Sequence, residues 1–198
     1  MESEKSEPRK KSPYNIPNLL SAYRILAFPV ILWFALTGKQ DLFAIFLVIS
    51  LLTDVADGYI ARKMNLESDF GAKLDSWADN FTYILAFTGI FVFKLEDFLP
   101  NIVSFLVWMS LLFSALFFSV IKFGRFPSLH LYSWKIGGYI QGAFFIVLFS
   151  YDFITTFYYI MIIWGMLSAL EHISIQMIIP EMRSNVKGLY WVLRDKSS

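Results

Sequence analysis

Four aspartates set the chemistry this chain can do. They lie in the stretch DVADGYIARKMNLESDFGAKLDSWAD, as Asp54, Asp57, Asp75 and Asp79. The first pair is spaced i, i+3 and the second i, i+4, so on helices each pair shares one face. A loop of about a dozen residues makes the two helices antiparallel neighbours, so that all four carboxylates can converge on one point. Converging carboxylates repel one another unless a cation sits among them, and Mg²⁺ and Mn²⁺ favour such oxygen ligands and commonly take substrate phosphates as further ligands. Two such ions about 4 Å apart can clamp an in-line phosphoryl displacement. Gly58, Ala61 and Gly71 leave room for close approach between helices or to a ligand, and Arg62 can neutralise a phosphate. Solvated loop charge can account for Glu67, Asp69 and Asp79 but not for Asp54, which falls inside an apolar segment, where an ionised Asp costs about 2.5–3.5 kcal/mol.

The elements that must position these groups are membrane helices. Of 198 residues 57% are hydrophobic, 19% aromatic and 17% charged, with a mean hydropathy of +0.55; soluble domains average about 25% charged residues. Apolar segments run over Ile16–Leu36, Leu42–Ile60, Trp77–Phe93, Phe98–Ile121, Ile136–Phe149 and Phe153–Ile179. They predict an all-α polytopic integral membrane protein with six transmembrane helices, of which the fifth is the weakest. Residues 1–13 form a charged tail and 14–198 a single membrane domain. With both termini cytoplasmic, 14 Lys and Arg lie inside, and Lys39 and Lys94 alone lie outside. This bias is the positive-inside pattern, and it places the aspartates at the cytoplasmic face. A secretory signal over the first apolar run is disfavoured by Pro17, Asn18 and Arg24, whose arrangement suits a working site. The net charge of +1 gives no nucleic-acid signature, and the absence of cysteine excludes disulfides, thiolate nucleophiles and Cys metal sites.

The eight positions Asp54, Asp57, Gly58, Ala61, Arg62, Gly71, Asp75 and Asp79 match D-x2-D-G-x2-A-R-x8-G-x3-D-x3-D without a gap. This is the signature of the CDP-alcohol phosphotransferase family, which the chain also resembles in its six-span layout. The resemblance implies transfer of a substituted phosphate from a CDP-linked donor to an alcohol, with release of CMP. It implies two divalent cations, Mg²⁺ or Mn²⁺, on the four aspartates, with Asp79 as general base. It puts Gly58, Ala61 and Gly71 around the cytidine and Arg62 at phosphate. Ile16–Arg24 resembles the P-N-x-L-[ST]-x-x-R entry of the phosphatidyltransferase branch. There Asn18, Ser21 and Arg24 share a face that can touch the nucleotide; an N-cap and a snorkelling Arg are the plainer reading. The family also implies a homodimer, CDP-diacylglycerol as donor, and a bacterial inner membrane with the site facing the cytoplasm.

The acceptor is sought in the basic fourth-to-fifth loop, KFGRFPSLHLYSWKIGGYIQG, with Lys122, Arg125 and Lys135 as candidates and simple positive-inside charge as the alternative. The branch that uses glycerol phosphate carries K-x-K-T-x-x-Q; here Lys135 and Gln141 match, and Gly137 and Gly138 replace the second Lys and the Thr. Glycerol 3-phosphate leads, and inositol phosphate, serine and phosphatidylglycerol stay open. So does the sister reaction of CDP-choline or CDP-ethanolamine with diacylglycerol. His130 reads as a loop polar contact or proton shuttle, and Glu171-His172 as a helix-end pair or a partner of a basic group. An aspartate-rich membrane prenyltransferase would need about nine spans, and a cation transporter would not need the glycines, Ala61 and Arg62 at these spacings.

Overall fold

The computed structural model describes residues 15–66, 68–125, 131–181 and 186–196. Among them the secondary structure is entirely helical. The helices are α1 (Ile16–Leu36), α2 (Gln40–Lys63), α3 (Asp69–Phe93), α4 (Leu95–Phe98), α5 (Ile102–Phe123), α6 (Tyr132–Ser150), α7 (Thr155–Ile178) and α8 (Leu189–Lys196), with a 3₁₀ turn at Leu99–Asn101. Among the described residues, four stretches are long and apolar enough to cross a membrane: Ile16–Leu36, Gln40–Lys63, Leu95–Phe123 and Thr155–Ile178. The predicted third segment begins two turns early, at Asp69 rather than Trp77, because charged residues that mask the apolar pattern still occupy helix. The connection between α2 and α3 is also shorter than the dozen residues expected. It comprises residues 64–68 and turns through Asn65 at φ 52°.

The chain forms two compact units, one ending at Phe93 and one beginning at Lys94. In the first, α1 packs along both α2 and α3. Asn15 starts α1 by accepting a 2.9 Å bond from the Asn18 N–H, with Pro17 in the first turn, as an N-cap should. The buried face of α1 then steps through Asn18, Ser21, Arg24, Ile31 and Ala35. On α3 the buried line includes Ala78, Thr82, Ala86 and Gly89, small residues that let helix backbones approach. Phe28 stacks on Phe81 at 4.7 Å between ring centroids.

In the second unit α7 packs on both α5 and α6. Phe98, Phe144, Phe153 and Tyr158 form a mutually edge-on or tilted aromatic cluster, and the Tyr158 hydroxyl reaches Asn101 O at 3.1 Å. At the other end of α7, Leu131, Ile175 and Ile179 pack with Leu189 and Val192 of α8. Many large apolar side chains remain exposed on the long helices, among them Leu26, Phe91, Val103 and Phe117, as expected where lipid is the solvent.

Candidate active site

The four aspartates do converge, and what joins them is Arg24. Its Nη1 donates to Asp54 Oδ1 at 2.5 Å and to Asp79 Oδ1 at 2.9 Å. Its Nη2 donates to Asp57 Oδ2 at 2.8 Å and to Asp75 Oδ1 at 2.6 Å. Three helices therefore meet at one guanidinium: α1 supplies Arg24, α2 the pair 54/57 and α3 the pair 75/79. Arg24 is 2% exposed, and a charge buried that deeply needs opposite charge beside it. Asp57 is buried with it, whereas the side chains of Asp54, Asp75 and Asp79 are 40–43% exposed. Ser21 Oγ lies 3.1 Å from Asp57 Oδ2 and 3.3 Å from Pro17 O.

A cavity of about 220 Å³ opens beside the cluster, lined in part by Asn18, Ser21, Asp57, Gly58, Ala61, Arg62, Gly71 and Asp75. Every expected nucleotide contact except Arg24 lines it. Its wall also uses Pro17, Leu66, Ser68 and Ala72, which sequence reasoning missed. Ser68 carried a legible signal, since its Oγ accepts from the Gly71 N–H at 3.1 Å, the N-cap bond expected just before a helix beginning at Asp69. Gly71 has a steric reason to be glycine: a Cβ there would fall 2.6 Å from Asn18 Oδ1.

The donor set fits divalent cations. Asp54, Asp57 and Asp75 each offer a carboxylate oxygen within 4.8 Å of the others, and Asp57 Oδ1 is buried with no hydrogen-bond partner. Asp79 stands outside that tight trio and is tied to it through Arg24.

The candidate acceptor residues lie in the second unit and have separate neighbours. Lys122 donates to Gln176 O at 2.6 Å and Met177 O at 3.2 Å, closing the end of α7. Arg125 is exposed just past the Gly124 cap of α5, and Lys135 sits over the Tyr132 ring at 5.8 Å. Gly137 is on α6 against Trp164, whose indole N–H donates to Ser133 O at 2.9 Å. Glu171 accepts from the Leu189 N–H at 2.9 Å and so caps α8. His172 is buried, bonded to Gln176 at 2.9 Å and edge-on to Trp134. His130 lies outside the described residues.

The model of the CDP-alcohol phosphatidyltransferase family matches residues 14–178. This chain belongs to that family. The match runs through both units. Similar members include the CDP-diacylglycerol–glycerol-3-phosphate 3-phosphatidyltransferase of Rickettsia bellii, 47% identical over 68 residues, which are 33% of this chain and 38% of the relative. The enzyme of the same name from Aquifex aeolicus is 34% identical over 118 residues, 59% of this chain and 66% of the relative. A cardiolipin synthase (CMP-forming)/mitochondrial hydrolase fusion protein of Schizosaccharomyces pombe is 38% identical over 72 residues, 36% of this chain and 12% of the relative. Each match spans less than two thirds of the relative's own length. No solved structure matches this CDP-alcohol phosphatidyltransferase family member significantly.

Proposed function

We propose that the protein is a phosphatidyltransferase of phospholipid synthesis. It moves the phosphatidyl group of CDP-diacylglycerol to an alcohol and releases CMP. The observation that carries this reading is the opening of the aspartate cluster onto the cavity lined by Gly58, Ala61, Arg62 and Gly71. Asp54, Asp57, Asp75 and Asp79 would hold two divalent cations, Mg²⁺ or Mn²⁺, which when bound stabilise negative charge on the pyrophosphate oxygens. Gly58, Ala61 and Gly71 leave space for the cytidine, Asn18 and Ser21 border the same space, and Arg62 faces phosphate. The Asp79 carboxylate accepts the acceptor's hydroxyl proton. The freed oxygen bonds to the phosphatidyl phosphorus, and the bond from that phosphorus to the CMP oxygen breaks, CMP leaving with the electron pair.

Glycerol 3-phosphate is the leading acceptor, because the relatives from Rickettsia bellii and Aquifex aeolicus are named for it. Phosphatidylglycerol is the second reading. It is favoured by Gly137 and Gly138, which stand where the glycerol-phosphate pattern has Lys and Thr, and by the name of the Schizosaccharomyces pombe relative. The further features of the proposal are six spans with both termini cytoplasmic, a bacterial inner membrane, a site facing the cytoplasm, and a homodimer. Lys122, Arg125 and Lys135 are the proposed acceptor contacts.

The test is CMP release by purified protein given CDP-diacylglycerol and each alcohol in turn. Release is expected with Mg²⁺ or Mn²⁺, with glycerol 3-phosphate the best acceptor, and is expected to stop on chelation. Asp79→Asn should lower the rate by about 10²–10⁴-fold, the usual contribution of a positioned base; undiminished release by that variant would remove Asp79 from the role.

A further inference from the structure

We propose that Arg24 is a built-in counter-cation that competes with divalent metal for the four aspartates, so that metal uptake and loss of the Arg24 ion pairs are one coupled event. The inference rests on the reading of those aspartates as metal ligands. It is drawn from how completely the guanidinium is committed. Each Nη atom serves one aspartate of α2 and one of α3, at 2.5–2.9 Å. Each aspartate gives Arg24 one oxygen, and the second oxygen of Asp57 is buried with no partner.

Charge decides what happens when a metal arrives. Four carboxylates and one guanidinium leave a formal charge of −3 at the cluster. Two divalent cations would make it +1 with Arg24 still seated, and they would stand on carboxylates that already contact the guanidinium. At that separation the guanidinium and the metal ions repel one another. The least costly relief is for the Arg24 side chain to leave. The hydrogen bonds at its end all go to the four carboxylates, and Arg24 Nε has no hydrogen-bond partner. The coupling is reciprocal: Arg24 weakens metal binding by the same factor by which metal weakens the Arg24 pairs.

The test uses the full-length protein in detergent, with Mn²⁺ alone as probe. Bound Mn²⁺ is counted by loss of the free-ion electron paramagnetic resonance signal, and unfolding temperature is followed with and without the ion. Arg24→Gln is expected to bind Mn²⁺ about tenfold more tightly than the wild type, a typical coupling between competing ligands. It should also unfold at a lower temperature without the ion and gain more from adding it, because its four carboxylates have lost their partner. Arg24→Lys keeps the charge but cannot fork to four carboxylates, so it should lie between, and it serves if the Gln variant does not fold. Equal or weaker Mn²⁺ binding by the variants overturns the competition while leaving the metal reading intact. Absence of Mn²⁺ binding in wild type and variants alike overturns both.

Discussion

At the scale of the residue, two glycines of the motif that look equivalent in sequence are not equivalent in space. A Cβ at Gly71 would lie 2.6 Å from Asn18 Oδ1, and Asn18 is itself buried. A Cβ at Gly58 would come nearest to the Arg62 guanidinium, with Nη1 at 3.3 Å, and Arg62 is exposed and can swing away. Gly71→Ala should therefore cost about 1–3 kcal/mol, the usual range for overpacking. Gly58→Ala should cost little or gain up to about 1 kcal/mol of helix propensity. Thermal unfolding of the two variants checks this, and a Gly58→Ala variant less stable than Gly71→Ala would reverse the assignment. Both substitutions narrow the cavity and should lower CMP release. The identities and the grouping of the aspartates were legible because spacing reports a shared face. The partner of that face was not. Asn18, Ser21 and Arg24 were read together as nucleotide contacts, yet Arg24 bonds carboxylates that lie 30 to 55 residues further along the chain. Periodicity says which side of a helix a residue takes, and nothing about what stands opposite it.

At the scale of the element, hydropathy found each long helix but mistook some boundaries. The first apolar segment and α1 coincide at Ile16–Leu36. The start of α3 did not, because Asp69, Lys73 and Asp75 occupy its first turns, and a scale that scores transfer to lipid cannot register charged helix. α4 and α8 are too short for such a window, and α8 is held by tertiary contacts of Leu189 and Val192 and by the Glu171 cap. In the second unit the seam between α5 and α7 depends on Gly165, where a Cβ would collide with the Trp108 indole. Trp108 is largely buried and has no open side to retreat into. Gly165→Ala should thus destabilise by about 1–3 kcal/mol, while Gly138→Ala on α6, where a Cβ meets nothing within 4 Å, should be nearly neutral. Unfolding temperatures in one detergent compare the two directly; equal values would show that the seam has slack.

At the scale of the whole molecule, the proposed orientation is open to a clean experiment because the chain has no cysteine. Single cysteines at Gly38 and Asp152 should react with a membrane-impermeant maleimide added outside intact cells, and cysteines at Asn65 and Lys187 only after the membrane is opened. The reverse pattern would invert the positive-inside assignment. All eight motif positions, together with Arg24 and the cavity lining, precede Phe93, whereas Lys122, Arg125 and Lys135 follow it. On the proposed reading, the machinery for handling the CDP-linked donor is inherited as one uninterrupted stretch of coding sequence. Substitutions downstream of it can try out new alcohols while the bond-breaking apparatus stays under separate selection, so one ancestral gene can diversify into enzymes for different lipid headgroups without relearning its chemistry.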